Sequence, residues 1–135
     1  MPRRLTADEV QNRRMTEREL LEAVKVFARV AGYVAYHEED SRRQAAGMLD
    51  LMIIGDRADR RTRLIFAELK VECKTRGRLR PSQVAQINRL LDCGQEVYVW
   101  RPRHWRQGAI ERVLNNVEAR AGEDRGKCDF ILAEK

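Results

Sequence analysis

Residues 48–54 read MLDLMII, apolar at every position except Asp50. A stretch with no polar face cannot turn one side to water, so as a strand it belongs inside a sheet with other layers packed on it. The flanking sequence supplies those layers. MTERELLEAVKVFARVAG (15–32) is predicted to be a helix: Thr16 is an N-cap, Glu19 follows three residues later as in a capping box, and Gly32 closes the C-terminus. Leu20, Leu21, Val24, Phe27, Ala28 and Ala31 fall on one face of it. YVAYHE (33–38) and RLIFAELK (63–70) alternate as strands on either side of the apolar run, with GDRADRRT (55–62) as the connection into the second.

A second helix is expected over 81–93, with Pro81 in its first turn, Val84, Ile87, Leu90 and Leu91 as its stripe and Gly94 at its end. EVYVW (96–100) is a short strand stopped by Pro102, and AIERVLNNVEARAG (109–122) is a third helix with Ile110, Val113, Leu114 and Val117 inward. The order is α-β-β-β-α-β-α, an α/β fold with a mixed sheet flanked by helices. A single domain over 16–120 accounts for it, preceded by a basic arm (1–15), flexible or a frayed helix, and followed by a tail (121–135) able to add an edge strand.

Charge narrows the partners. Against 21 Asp and Glu stand 27 Lys and Arg, a formal +6 carried mostly by arginine, whose planar fork matches phosphate oxygens. Neither a signal peptide nor a membrane-spanning run is visible. Cys73, Cys93 and Cys128 have no C-x-x-C spacing, and with His37 and His104 they complete no zinc pattern, so reduced thiols in a cytoplasmic protein are expected.

Along RLIFAELK, strand alternation puts Leu64, Phe66, Glu68 and Lys70 on one face and Ile65, Ala67 and Leu69 on the other. If Asp50 opens toward the same end of the sheet, two carboxylates converge beside one ammonium. Crowded carboxylates need a cation, and hard oxygen donors suit Mg²⁺ or Mn²⁺ with phosphate oxygens as further ligands. The chemistry that follows is phosphodiester hydrolysis, with Lys70 orienting water or stabilising charge on the phosphorane. The same Glu68–Lys70 pair is also what a surface ion pair on an edge strand would look like, worth ~0–1 kcal/mol. Glu17 and Gln83, each in the first turn of a helix and rotationally within its apolar stripe, point toward the interior where a polar group needs partners.

The segments TERELLEAV, GMLDLMII, FAELK and GRLRPSQVAQINRLLDCGQEVYVWRP together resemble the PD-(D/E)XK nucleases, most closely their virus-type replication-repair (VRR-NUC) branch, over residues 16–105. The resemblance implies a restriction-endonuclease-like fold and Mg²⁺- or Mn²⁺-dependent cleavage of DNA. Asp50, Glu68 and the Leu69 backbone carbonyl then take the metal, Lys70 is catalytic, Glu17 matches the helix acid that contacts water on the metal, and Gln83 is the glutamine beside the site. It further implies a structure-specific or Holliday-junction-type enzyme acting in replication, repair or recombination, commonly homodimeric, in a bacterial or phage-infected cell. Leu49 stands where the family has proline, and the turn from Lys70 to Gly77 is a few residues longer than usual. His37 matches an aromatic-His position and is read as a core or phosphate-side histidine, not a ligand.

Arg42, Arg43, Lys74, Arg76, Arg78 and Arg80 occupy the segments that flank the candidate site and form an expected phosphate-binding rim. No base-reading motif is present, so sequence specificity is not expected, and recognition of branched or flapped DNA by backbone and shape is compatible with that absence. Trp100 reads as core, and Trp105, between arginines, as a base-stacking or dimer-contact residue. The competing reading is a non-catalytic DNA-binding or assembly module that keeps the same fold.

Overall fold

The computed structural model describes residues 3–37, 49–56, 62–73 and 75–115. The chain runs through helices α1 (Ala7–Arg14) and α2 (Glu17–Val30), strands β1 (Tyr33–Tyr36), β2 (Leu51–Asp56) and β3 (Thr62–Leu69), helix α3 (Pro81–Asp92), strand β4 (Glu96–Trp100) and helices α4 (Pro102–Arg106) and α5 (Ala109–Asn115). The strands lie in the order β1-β2-β3-β4, antiparallel across the first two pairs and parallel across the third, with α3 as the crossover that a parallel pair requires. The sheet is therefore mixed and flanked by helices, as expected.

The apolar run lies in the interior strand β2, between β1 and β3. The register sets Leu51 opposite Ala67 and Ile53 opposite Ile65, and all four are fully buried on one face with Tyr33, Leu69, Tyr98 and Trp100. Leu20, Val24 and Ala28 of α2 join the same core. The other face carries Met52, Ile54, Leu64 and Phe66, half-buried, and is more open at its β1 end, where Val34 and Tyr36 are exposed. Burial on both sides of the apolar run is thus complete on one face and partial on the other.

Local chemistry sets the boundaries. Thr16 Oγ1 accepts the Glu19 N–H and a Glu19 carboxylate oxygen accepts the Thr16 N–H, both at 3.1 Å, closing the expected capping box. Gly32 and Gly94 end α2 and α3 at φ of 94° and 78°, in the left-handed region that glycine enters without steric cost.

Two segments are more ordered than expected. Within the basic arm, residues 7–14 are helical because Thr6 and Glu9 form a second capping box, and Arg106 of α4 reaches Asp8 at 3.2 Å. Pro102 does not merely stop β4: it occupies the first turn of α4, where its missing N–H costs nothing. Trp105 on that helix is half-buried and packs edge-to-face on Phe27 of α2, centroids 6.1 Å apart, which joins α4 to α2. Trp100 is core, as expected, stacked on Tyr98 at 5.3 Å. The tail and the stretch beyond Asn115 where the third helix is expected to continue lie outside the described residues. Among the described residues, no helix is long and apolar enough to cross a membrane.

Candidate active site

Because Leu51 pairs with Ala67, the next step along the ladder brings Asp50 beside Glu68 on the more open face of the sheet. Two hydrogen bonds tie the ends of β2 and β3 together here. The Asp50 N–H donates to Glu68 Oε2 at 3.1 Å, and the Leu69 N–H donates to Asp50 Oδ2 at 2.9 Å. A strand residue's N–H and C=O point to the same edge, so the Leu69 carbonyl also faces the side on which Asp50 lies. Lys70, one step beyond β3, anchors its N–H on the Trp100 carbonyl at 3.0 Å and sets Nζ 3.5 Å from Glu68 Oε1.

Helix α3 supplies the fourth wall. Gln83 is 2 % exposed and donates from Nε2 to Glu68 Oε1 at 2.7 Å, while its Oε1 accepts the Arg80 N–H at 2.9 Å. That backbone donor fixes which way round the amide sits. Both Glu68 oxygens are held, and the side chain has one position. The surface-pair alternative fails on these facts: β3 is paired on both sides and Glu68 is 2 % exposed.

Electrostatics in the pair are strained. Burial first, and then the Asp50 charge, push the Glu68 carboxyl up to about 8, against the pull of Lys70. Glu17, at the first turn of α2, is raised as well, by partial desolvation and then by Asp50, and is eased by Lys70, His37 and Arg80. Its side chain remains exposed, at the rim of the site rather than within the apolar stripe. His37 meets the Asp50 carbonyl through Nδ1 at 2.9 Å, which places the ring proton on that nitrogen. Thus Asp50, Glu68, Lys70, Gln83 and Glu17 converge, with His37 holding the backbone behind Asp50.

This donor set suits one kind of cation. Two carboxylates with a single close ammonium leave negative charge that near neutrality is relieved by a proton on the pair; a divalent ion would take that proton's place. The ligands are hard oxygens, and Mg²⁺ or Mn²⁺ binds through one or two carboxylates while keeping waters. Among the described residues no three His, Cys, Asp or Glu side chains gather as an all-protein metal cage, which sets the site apart from a structural zinc centre.

The long turn between β3 and α3 is a closed, tied-down loop. The Gly77 N–H donates to the Cys73 carbonyl at 2.7 Å, and Arg101 Nη1 donates to the carbonyls of Val71 at 2.8 Å and Gly77 at 2.7 Å. Glu72 accepts from the Arg103 N–H at 2.9 Å and from its Nη1 at 3.0 Å. A Cβ on Gly77 would lie 2.1 Å from the Val71 carbonyl oxygen and 2.6 Å from that of Cys73, so only glycine fits. Within the loop the Cys73 thiol is pulled down to about 6 by the Thr75 hydroxyl and by N–H groups of Arg76 and Thr75. Cys73 and Cys93 are both free thiols.

Of the basic rim, Arg76 and Arg78 extend into solvent from this loop, and Arg80, at the N-cap of α3, is near enough to lower the Glu17 pKa. Arg42, Arg43 and Lys74 lie outside the described residues. Sequence reasoning missed Arg101, whose tie to the loop has no local signature. It also missed a buried network at the far end of the sheet. Arg63 pairs with Glu96 through two bonds, the Nε–Oε1 one at 2.8 Å, and Arg63 Nη1 reaches the Tyr33 hydroxyl at 3.2 Å and the Val113 carbonyl at 2.7 Å. The Tyr33 hydroxyl donates to the Leu114 carbonyl at 2.7 Å and the Tyr98 hydroxyl to Glu96 at 2.7 Å, so β1, β3, β4 and α5 meet on one ion pair. Strand parity was the available signal: Arg63 and Glu96 fall on the core face.

In comparisons with known proteins, the chain matches no family model, no curated protein and no solved structure.

Proposed function

We propose that the domain has the restriction-endonuclease-like form of this α/β architecture and is a metal-dependent, structure-specific DNA endonuclease. The observation that carries the reading is the placing of Asp50 and Glu68 side by side at a strand end, Glu68 held by the Asp50 N–H and Asp50 by the Leu69 N–H, with the Lys70 ammonium 3.5 Å from Glu68. An ordinary buried ion pair would need one acid; this site keeps two side by side at an electrostatic cost.

Asp50, Glu68 and the Leu69 carbonyl would hold Mg²⁺ or Mn²⁺, which when bound supplies polarisation of a phosphoryl oxygen and a more acidic water. Gln83 keeps the Glu68 carboxylate in one orientation, so the site needs little reorganisation when a phosphate arrives. Lys70 would orient the attacking water or neutralise charge gathering on the phosphorane. Glu17, its carboxyl raised by partial desolvation and by Asp50, would hold or move a proton at the rim. Arg76, Arg78 and Arg80 would bind the flanking backbone, and the substrate would be branched or flapped DNA, cut by a homodimer.

The test is incubation of purified protein with a four-way junction, a flap and plain duplex in Mg²⁺ or Mn²⁺. Cleavage of a branched substrate, lost in Glu68→Gln and Lys70→Ala with DNA binding retained, is the expected result. Binding without cleavage of any substrate in either metal would move the reading to a non-catalytic DNA-binding module. Paired symmetric incisions, and a dimer by light scattering, would specify a junction resolvase.

A further inference from the structure

We propose that a cleft beside the carboxylate site holds one unpaired nucleotide of the bound DNA strand, gripped by Arg13 and Arg14 of α1 and by Arg76 of the opposite loop. The cleft has a volume of about 680 Å³ and lies between the α1–α2 junction and the β3–α3 loop. Met15 and Val71 contribute apolar surface to it, and Glu17 lines it too. Glu17 also feels the charges of Asp50 and Lys70, so the cleft adjoins the site. The proposal rests on the nuclease reading for the identity of the strand, and adds where the strand goes and in what form.

Three features specify the occupant. The first is charge. Arg13, Arg14 and Arg76 come from two separate elements, and among the described residues none of them lies in an ion pair with a carboxylate. Of the cleft's other acidic groups, Glu72 is already neutralised by Arg103, and the Cys73 sulfur is held by the Thr75 hydroxyl and the N–H groups of its own loop. Guanidinium groups facing a shared space from opposite walls suit phosphate oxygens, which they bind in bidentate fashion. The second is size. A cleft of this volume is in the ~300–1,000 Å³ range of small-ligand sites. It admits a base, sugar and phosphate but not a double helix, so a nucleotide entering it has left its partner. Apolar side chains and guanidinium planes are the surfaces on which unstacked bases are held. The third is rigidity. The loop wall is fixed by the Arg101 bonds to Val71 and Gly77, and the α1 wall by the Arg106–Asp8 pair and the Thr6 cap. The cleft exists before the strand arrives, which limits the ordering cost of binding.

The inference makes α1 part of the substrate platform and gives a physical reason for preferring flaps and branches, where an unpaired nucleotide is available without melting a duplex. Its test is fluorescence anisotropy in EDTA, where nothing is cut, with a labelled flapped duplex and a blunt duplex of equal length. Arg13→Ala/Arg14→Ala is expected to weaken flap binding about tenfold or more, to leave blunt duplex within about twofold, and to reduce the flap's salt slope by ~1.4, at ~0.7 per lost single-strand phosphate contact. Arg76→Ala, on the other wall, should act in the same direction. It provides a check that does not touch α1. Arg29→Ala/Arg89→Ala removes two exposed arginines from α2 and α3 away from the cleft and is the charge control. Equal losses on both DNAs, or losses no greater than the control's, would overturn the proposal. If flap binding depends on these arginines and no DNA is ever cut, the cleft stands and the nuclease reading falls. If flaps are cut by protein whose binding ignores all three arginines, the reverse holds.

Discussion

The acid pair makes a prediction about stability that needs no substrate. Glu68 carries an ordinary carboxyl pKa of 4.5 when unfolded and about 8 in the metal-free fold. Its contribution is therefore fully present below about pH 4.5 and is lost as pH rises toward 8, at ~1.4 kcal/mol per pH unit. Glu17, also raised, acts in the same direction. Buried His104 acts oppositely: desolvation and the neighbouring Arg103 and Arg101 lower it from 6.5 to about 3, so stability is lost as pH falls below 6.5. Between pH 4.5 and 6.5 the two slopes cancel, and above 6.5 Glu68 acts unopposed by His104. From pH 6.5 to 8 the fall should be about 2 kcal/mol, roughly 6 °C in Tm for a domain of this size. The thiol of Cys73 titrates near 6 with the opposite sign, so the measurement belongs in Cys73→Ser protein, followed by circular dichroism melting in EDTA. Adding Mg²⁺ or Mn²⁺ at pH 8 should restore the loss, by ~2.7 kcal/mol at a hundredfold excess over Kd. Glu68→Gln should remove most of the slope, leaving the part due to Glu17, and the metal response. Its offset is a separate matter: one amide cannot accept from both the Asp50 N–H and Gln83, which costs ~1–3 kcal/mol at any pH. A Tm that is flat or rising over this window, or a slope unchanged in Glu68→Gln, would refute the electrostatic account of the site.

Three other perturbations test the surroundings. Glu96→Ala would leave the Arg63 guanidinium buried without its carboxylate and should destabilise by ~3–5 kcal/mol in urea melts; a loss under about 1 kcal/mol would mean the network is not needed for the fold. Gly77→Ala drives a Cβ into backbone oxygens at 2.1 and 2.6 Å, so the loop must open: flap cleavage should fall at least about tenfold, with ~1–3 kcal/mol lost in stability, and wild-type cleavage would show that the loop's closure does not serve the site. Alkylation of Cys73 by iodoacetamide, in Cys93→Ser/Cys128→Ser protein, should inflect near pH 6; an inflection near 9 would mean that the N–H groups of the loop do not face the sulfur.

What was legible in the sequence follows the range of the interactions. Alternation along RLIFAELK put Glu68 and Lys70 on one face, and capping residues Thr16 and Glu19 marked the start of α2, because both are decided within a few residues. The apolar run of β2 gave an interior strand, and with antiparallel pairing that was enough to bring Asp50 beside Glu68. Arg101, Arg63 and Glu96 were not legible, because each is defined by partners that arrive from elsewhere in the chain: Arg101 by carbonyls of a loop some thirty residues away, Arg63 by Glu96 and Val113. A charged residue at a core-facing parity announces that it must have a partner, but not which one.

That division bears on the long turn. Read locally, the extra residues between Lys70 and Gly77 are slack. The fold removes the slack with contacts from outside the turn: the guanidinium of Arg101, sitting just after β4, replaces the ladder partners the loop carbonyls lack, and Glu72 fixes the start of α4 in return. Since β4 is the strand parallel to β3, the residue that closes the turn and the residue that begins it, Lys70, are held by the same strand end. Any change that shifts β4 therefore moves the ammonium and the arginine rim together, which keeps their spacing constant. A rim that tracks the site in this way is what a backbone-reading site requires, because phosphates recur at fixed spacing along a strand whatever the bases are.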